Sequence, residues 1–472
     1  MTPRTAIVVG SGPNGLAAAI TLAQGGCTVT VLEAEPTIGG GIRSAELTLP
    51  GFMHDVCSAI HPMAAVSPFF RSLPLAEHGL EWLDSPAPFV HPLDDGTAVV
   101  FHRSIDRTAA RLDADADSWR ALFNPLIADH DRLIESLLAP LIPPRHPLLM
   151  AQFGRHALRS VDHVANTCLR GARARALFAG IAAHAVLPFD AAGSASFALV
   201  LGLVGHVAGW PFPRGGSQRI ADALASTLGA AGGVVRTNRR VESAAELSGA
   251  DVVLFDLSPR PLLSIAAERL PPRYRRRIGA YRYGPAAFKI DWALRGPIPW
   301  RAAECAQAAT VHLGGTYEEI AASEAAVARG EHAERPFVLL TQPSLFDDTR
   351  APAGQHTAWA YCHLPNGSPI DMTAPIEAQI ERFAPGFRDL VIGRHVTTPA
   401  DLERHNSNYV GGDIVGGANN LMQMLGRPLL SLHPYRIPVR GWYLASASTP
   451  PGGGVHGMSG FHAARAALRA LR

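Results

Sequence analysis

Lysine is almost missing from this chain: of its 42 cationic residues only Lys289 is a lysine, a skew we attribute to coding bias. Net charge is only +2, and no basic run interleaves with aromatics, which excludes an electrostatic nucleic-acid binder. The five cysteines, Cys27, Cys57, Cys168, Cys305 and Cys362, are scattered and form no C-x-x-C. That spacing excludes a disulfide framework, a cysteine zinc site and dithiol redox chemistry. The strongest apolar run, Phe197 to Trp210, is too short to span a bilayer and is broken by glycines and His206. It reads as a buried helix or cavity wall in preference to a surface dipping into lipid, where contact would be weak and peripheral. The chain runs directly into an apolar strand, so no secretory leader is expected and a reducing cytoplasm is the expected compartment.

What is present begins at residue 5. An apolar strand, TAIVVG, runs into GSGPNG, so that Gly10, Gly12 and Gly15 form G-x-G-x-x-G with Ser11, Pro13 and Asn14 between them. The first glycine makes the strand-to-helix turn, the second lets a pyrophosphate approach the backbone, and the third lets the helix sit close on the sheet. A helix N-terminus there offers unpaired N–H groups to phosphate. A second strand, TVTVLEA, ends in Glu33 and Ala34; Glu33 lies eighteen residues beyond Gly15, where a carboxylate accepts from ribose hydroxyls. A further loop, Gly39, Gly40 and Gly41 followed by Arg43 and Ser44, supplies a second pyrophosphate-facing backbone with a guanidinium. Two such loops suit FAD better than NAD. At the other end, Gly452 to Gly454 precede Val455, His456, Gly457 and Met458, where a helix begins and can present N–H groups to an electron-rich ring edge.

With 472 residues, 47% of them hydrophobic, the chain can fill more than one core. FVHPLDDGTAVVFH reads as a hairpin turning at Asp95-Gly96. From about Ser118 to Trp210 the apolar spacing is helical, as in Leu122, Leu126, Leu133, Ile134, Leu137 and Leu138. From Pro211, PRGGSQRIADALASTLGAAGG reads as a glycine loop and a helix, VVRTNRRVESA as strand, turn and strand, and ADVVLFDLSP as a buried strand. AAFKIDWAL alternates Phe288, Ile290, Trp292 and Leu294 against Lys289 and Asp291, predicting a strand with one wet or functional face. The fold class expected is α/β: a discontinuous Rossmann-like FAD domain of residues 1–75, 212–284 and 405–472, with an α+β substrate domain of 76–211 and 285–404.

These strings, together with GGGIRSAELTLPGFMHDVCSAIHP, TVHLGGTYEEI, NSNYVGGDIVGGA and STPPGGGVHGMSGFHAA, resemble the phytoene-desaturase-like group of FAD-dependent oxidoreductases within the flavin amine oxidase superfamily. The likeness runs almost end to end and is nearest a bacterial branch similar to the pyridine nucleotide-disulfide oxidoreductase domain-containing proteins. It implies that Gly39, Gly40, Arg43 and Ser44 lie along the pyrophosphate and flavin, with Ser58 in the loop beside the ring. Val241 would meet the adenine side, and Gly453 with His456 to Met458 would face the pyrimidine edge. Two departures stand out. An arginine usual after the glycine pair is Gly41 here, and the usual glycine-acid pair near the ribityl chain is replaced by Ser446, Ala447 and Ser448.

For chemistry, Lys289 lies in a strand similar to one that carries a water-holding lysine in amine oxidases; the plainer alternative is a lysine paired with Asp291 on an exposed face. His61, in the CSAIHP loop, is a candidate base or substrate partner, or else a satisfied structural histidine. Tyr409 and Asp413 are candidate cavity residues. GGDIVGG has glycines without a preceding strand, so loop packing is favoured over a nicotinamide site, and oxygen or a quinone-like molecule is the expected electron acceptor. No metal is expected, and a homodimer is compatible with the sequence. Three functions are consistent with it: oxidation or desaturation of a lipophilic organic substrate, isomerisation or cyclisation with reduced FAD and no net oxidation, and a non-catalytic escort role.

Overall fold

The computed structural model describes residues 4–141 and 143–472. β-branched runs form a five-stranded parallel sheet in the order Trp442–Leu444, Val252–Phe255, Thr5–Val9, Thr28–Leu32, Val234–Arg236. Its strands therefore come from both ends and the middle of the chain. Pro13, at the first turn where its missing N–H costs nothing, opens the helix Pro13–Gln24 straight after the first strand. The closing helix, Met458–Leu471, lies on it so tightly that a Cβ at Gly460 would overlap the Asn14 carbonyl. The two termini of the chain thus meet backbone to backbone.

A second sheet of seven strands is mixed, in the order Val391–Thr397, Ala286–Leu294, His356–Leu364, Val338–Thr341, Ala308–Leu313, Ala87–Pro92, Ala98–Phe101. All its pairings are antiparallel except that of Ala308–Leu313 with Ala87–Pro92. Its last two strands are the hairpin turning at Asp95-Gly96. One face, carrying Phe288, Ile290, Trp292, Val311, Leu340 and Ala360, packs into an apolar core with Ile376 and Ile380. The other face turns toward the parallel sheet.

Among the described residues, six helices between Ala116 and Val207 contribute to an apolar core that includes Phe89, Phe101, Leu339 and Trp359 of this second face. The apolar run predicted as a buried helix is the helix Ala195–Val207, where Phe123 and Phe101 rings press on Gly202 and Gly205. Two expectations need correction. VVRTNRRVESA gives only the strand Val234–Arg236; the segment after it turns into a short 3-10 helix at Ala244–Leu247 instead of pairing. AAFKIDWAL keeps its alternation, but all nine residues are buried, because strands flank it on both edges. Neither face is wet. Among the described residues no helix is long and apolar enough to cross a membrane, and no group of three or more His, Cys, Asp or Glu is arranged to hold a metal.

Candidate functional site

A cavity of about 820 Å³ runs between the two sheets. At the parallel-sheet end it is walled by Gly10, Ser11, Gly12, Pro13 and Asn14, by Glu33 and Ala34, and by Val241 with Arg239 and Arg240. Gly40, Gly41, Arg43 and Ser58 continue the wall, and Ser446, Ser448 and Val455 close it from the C-terminal segment. At the mixed-sheet end it opens into a chamber lined by Ala59, Ile60, His184, Leu201, Trp210, Thr310, Leu339, Thr341, Trp359, Tyr361 and Tyr409.

The glycines at the first end are required by contact. A Cβ on Gly12 would stand 2.6 Å from the Asp256 carboxylate, one on Gly15 would overlap the Gly10 carbonyl, and one on Gly40 would come within 3.2 Å of the Gly12 Cα. The two glycine loops therefore lean on each other. Gly41, where the family resemblance anticipated an arginine, faces the Tyr409 hydroxyl, which leaves no room for any side chain.

Glu33 is more occupied than its ribose role anticipated. Its carboxylate accepts from Ser11 N at 2.9 Å and from the Ser11 hydroxyl, from Glu35 N at 2.9 Å, and pairs with Arg43 at 3.2 Å. Both ionic side chains are buried, so the pair ties the first glycine loop to the second and takes up much of the Arg43 charge. Sequence reading missed Asp256, which ends the strand Val252–Phe255 and accepts from Gly15 N at 2.8 Å. Burial pushes its carboxyl up to about 7, opposed by the Gly15 N–H and reinforced by the Glu33 charge. An acid at the carboxyl end of a parallel strand was the available signal.

Several predicted residues stand behind the wall and not on it. Gly15 supports the turn, Gly39 donates to Ser11 O, and the Ser44 hydroxyl donates to Asp55 at 2.7 Å. Gly453, Gly457 and Met458 do not line the cavity, and His456 is folded inward, its Nδ1 accepting from Met458 N at 3.0 Å. That amide is consequently not free for a ring edge. Asp413 is a correction: fully buried, it holds its own loop together by accepting from Gly284 N, Val415 N and Gly416 N, and it does not reach the chamber. Tyr409 does reach it.

The two catalytic candidates are also displaced from the wall. His61 is buried with Nε2 2.8 Å from the Ser217 hydroxyl, beside the Asp55–Arg350 ion pair, and burial depresses it to about 4. Its neighbours Ile60 and Pro62 line the cavity while the imidazole points away. Lys289 donates to Asp291 at 2.6 Å with both side chains buried, and its ammonium lies 5.2 Å from the Trp359 ring centre. The pairing anticipated as the plain alternative exists, but in the interior, beside Tyr361 and Trp359 on the same face of the sheet, and neither Lys289 nor Asp291 lines the cavity. GGDIVGG is a packed loop with no strand before it.

A parallel nucleotide-binding sheet and a mixed sheet sharing one cavity define a flavin-dependent oxidoreductase class, and comparison with known proteins agrees. Residues 14–259, a little over half the chain, match the family of flavin containing amine oxidoreductases, and the chain belongs to that family. It is 27% identical to pyridine nucleotide-disulfide oxidoreductase domain-containing protein 2 of Rattus norvegicus, over 99% of this chain and 94% of that protein. To the phytoene dehydrogenase of Streptomyces griseus it is 27% identical over 86% of this chain and 80% of that one. Among solved structures, an oxidoreductase from Methanosarcina mazei superposes with a TM-score of 0.64 at 15% identity, covering 99% of each chain. Wild-type putrescine oxidase bound to putrescine gives 0.61 at 17%, again covering 99% of each. These structural likenesses establish the α/β fold; the family match makes this a flavoprotein enzyme acting in redox chemistry on a small organic molecule.

Proposed function

We propose that the chain binds FAD along the cavity and uses it to desaturate or oxidise an organic molecule held in the chamber. The observation that carries this reading is the continuity of the cavity, from two interlocking glycine loops to a mostly apolar enclosure. FAD, when bound, supplies a hydride acceptor. Backbone of Gly10 to Asn14 and of Gly40 and Gly41 would hold the pyrophosphate, with Arg43 close by. Ala34 and Val241 would flank the adenosine, and Ser446, Ser448 and Val455 the ribityl and ring end. Asp256 fits beside a pyrophosphate because its carboxyl retains a proton near neutrality, which limits repulsion between anions.

In this reading the chamber walls orient the substrate and exclude water. Lys289, with Asp291 as its counter-ion, acts as a positioning residue beside Trp359 and Tyr361, and His61 braces the loop that carries Ser58, Ala59 and Ile60. Electrons leave for oxygen or a quinone-like acceptor. Purified protein is expected to be yellow with flavin absorption bands, and to lose them when an oxidisable substrate is added without air. A colourless protein that refuses added FAD overturns the reading. Turnover that leaves the bands intact and needs no acceptor would replace oxidation with isomerisation.

A further inference from the structure

The chamber floor is one face of the mixed sheet, and its register is explicit. Thr310, Thr341, Trp359 and Asp291 form one row across four strands, and His312, Leu339, Tyr361 and Lys289 the next. Lys289 and Asp291 neutralise each other at one edge. Every carboxylate on the cavity wall, Glu33, Glu35, Glu242, Asp256 and Glu403, belongs to the segments around the nucleotide end or to the Glu403 contact with Gly411 N. The chamber itself offers no anion to a protonated amine.

It does offer neutral hydrogen-bonding groups. Tyr361 is enclosed by protein yet keeps part of its surface, and that surface opens into the cavity; no hydrogen bond from a neighbour bears on its hydroxyl, and burial pushes the phenol up. His184 is likewise enclosed but partly open to the cavity, and burial pushes it down to about 3, so it is neutral. Its Nε2 lies 3.0 Å from His312 Nε2, which requires one donor and one acceptor. His312 Nδ1 is buried without a partner. A proton there would be an orphaned buried donor, rarer than an orphaned acceptor, so His312 donates through Nε2 and leaves His184 with Nδ1–H. On the same floor Thr310 Oγ1, Thr341 Oγ1 and Trp359 Nε1 are buried with no partner in the protein. Tyr361 and His312 stand two strands apart, roughly 10 Å.

Resting on the oxidoreductase reading, we propose that the substrate is an uncharged molecule with an apolar body and an oxygen function, a carbonyl or hydroxyl, bound through the Tyr361 hydroxyl, with His184 a second neutral hydrogen-bonding group on the wall. A hydrocarbon would strip water from both groups without replacing it, and an ammonium would enter without a counter-ion; both are disfavoured.

The test uses three probes on one carbon skeleton, menthone, menthylamine and p-menthane, titrated into the holoprotein by calorimetry and by perturbation of its visible spectrum. Menthone is expected to bind at least about tenfold more tightly than either of the others, the worth of one hydrogen bond. Tyr361→Phe should bring menthone down to the level of p-menthane without changing the melting temperature, since the hydroxyl lost has no protein partner. Equal binding of all three probes, a preference for menthylamine, or unchanged menthone binding in Tyr361→Phe overturns the proposal. Calorimetry reports on it even if no flavin is found, whereas absence of flavin overturns the oxidoreductase reading alone.

Discussion

At its nucleotide end the cavity is walled mainly by backbone, and at its chamber end by side chains. Gly10, Gly15 and Gly40 bring main chain within contact distance of main chain, while Gly12 and Gly41 press on the Asp256 and Tyr409 side chains, and a Cβ at any of them would force a shift. The chamber is assembled from residues near 57–62, 184–210, 310–341, 359–361 and 409–416, none of which recurs in a local pattern. A backbone site is specific for a shape, phosphate on a helix start, and tolerates few residues. A side-chain site is free to change its substrate while the fold stays put. The difference accounts for one fold kept over 99% of chains only 15–17% identical.

The largest effect is expected from acid, because buried histidines at both ends of the cavity are held neutral while Asp256 at the nucleotide end responds with the opposite sign. At the chamber, burial depresses His91 to about 4 and His184 to about 3, and His312 well below its ordinary range. Histidines with lowered folded values contribute stability that is complete above pH 6.5 and is lost as pH falls from there toward 4. Stability should therefore drop steeply over that window, by denaturant titration at a series of pH values. Stability flat from pH 7 to 4 would mean these imidazoles are not held neutral inside. Asp256 has the opposite sign: its raised carboxyl contributes stability below about 4 that is lost as pH rises through about 7. Asp256→Asn should accordingly reduce any loss of stability between pH 4 and 7 while leaving the acid limb untouched.

Next in size is the ion pair beneath the chamber. Lys289→Met leaves the buried Asp291 with only the His54 imidazole at 3.5 Å and should cost about 3 kcal/mol of unfolding free energy. Adding Asp291→Leu should recover most of it, since a buried pair replaced by apolar groups is often neutral. If the double variant is stable but reduces its flavin as slowly as the single one, Lys289 positions the substrate; if rate returns with stability, the pair is only a strut. Similar in size is Gly460→Ala, whose methyl would overlap the Asn14 carbonyl where the two terminal helices cross. It should cost about 3 kcal/mol and loosen FAD by shifting the helix that carries Asn14, measurable as a lowered melting temperature and a raised Kd for FAD.

Much of this was legible from residues alone. The strand, glycine turn and helix at residues 5–24, the hairpin at Asp95-Gly96, the buried helix at 195–207 and the closing helix all follow from local period and punctuation. Of the two loop residues singled out, Tyr409 lines the cavity and Asp413 does not, since an acid that folds its own turn and one that faces a cavity look alike in sequence. Tyr361 and His184 carried no signal at all. Their rows and partners exist only once distant strands are aligned.

By itself, the order of amino acids determined that a strand, glycine turn and helix form at residues 5–24 and that a second glycine loop follows, because φ angles and the missing Cβ are properties of single residues. Tertiary structure decided what those loops touch and who partners whom: that Glu33 is tied to Arg43, that Lys289 is buried against Asp291 beside Trp359, and that His61 looks away from the cavity. Burial and partnership are set by which strands become neighbours, and for residues hundreds of positions apart that is fixed only when the whole chain packs.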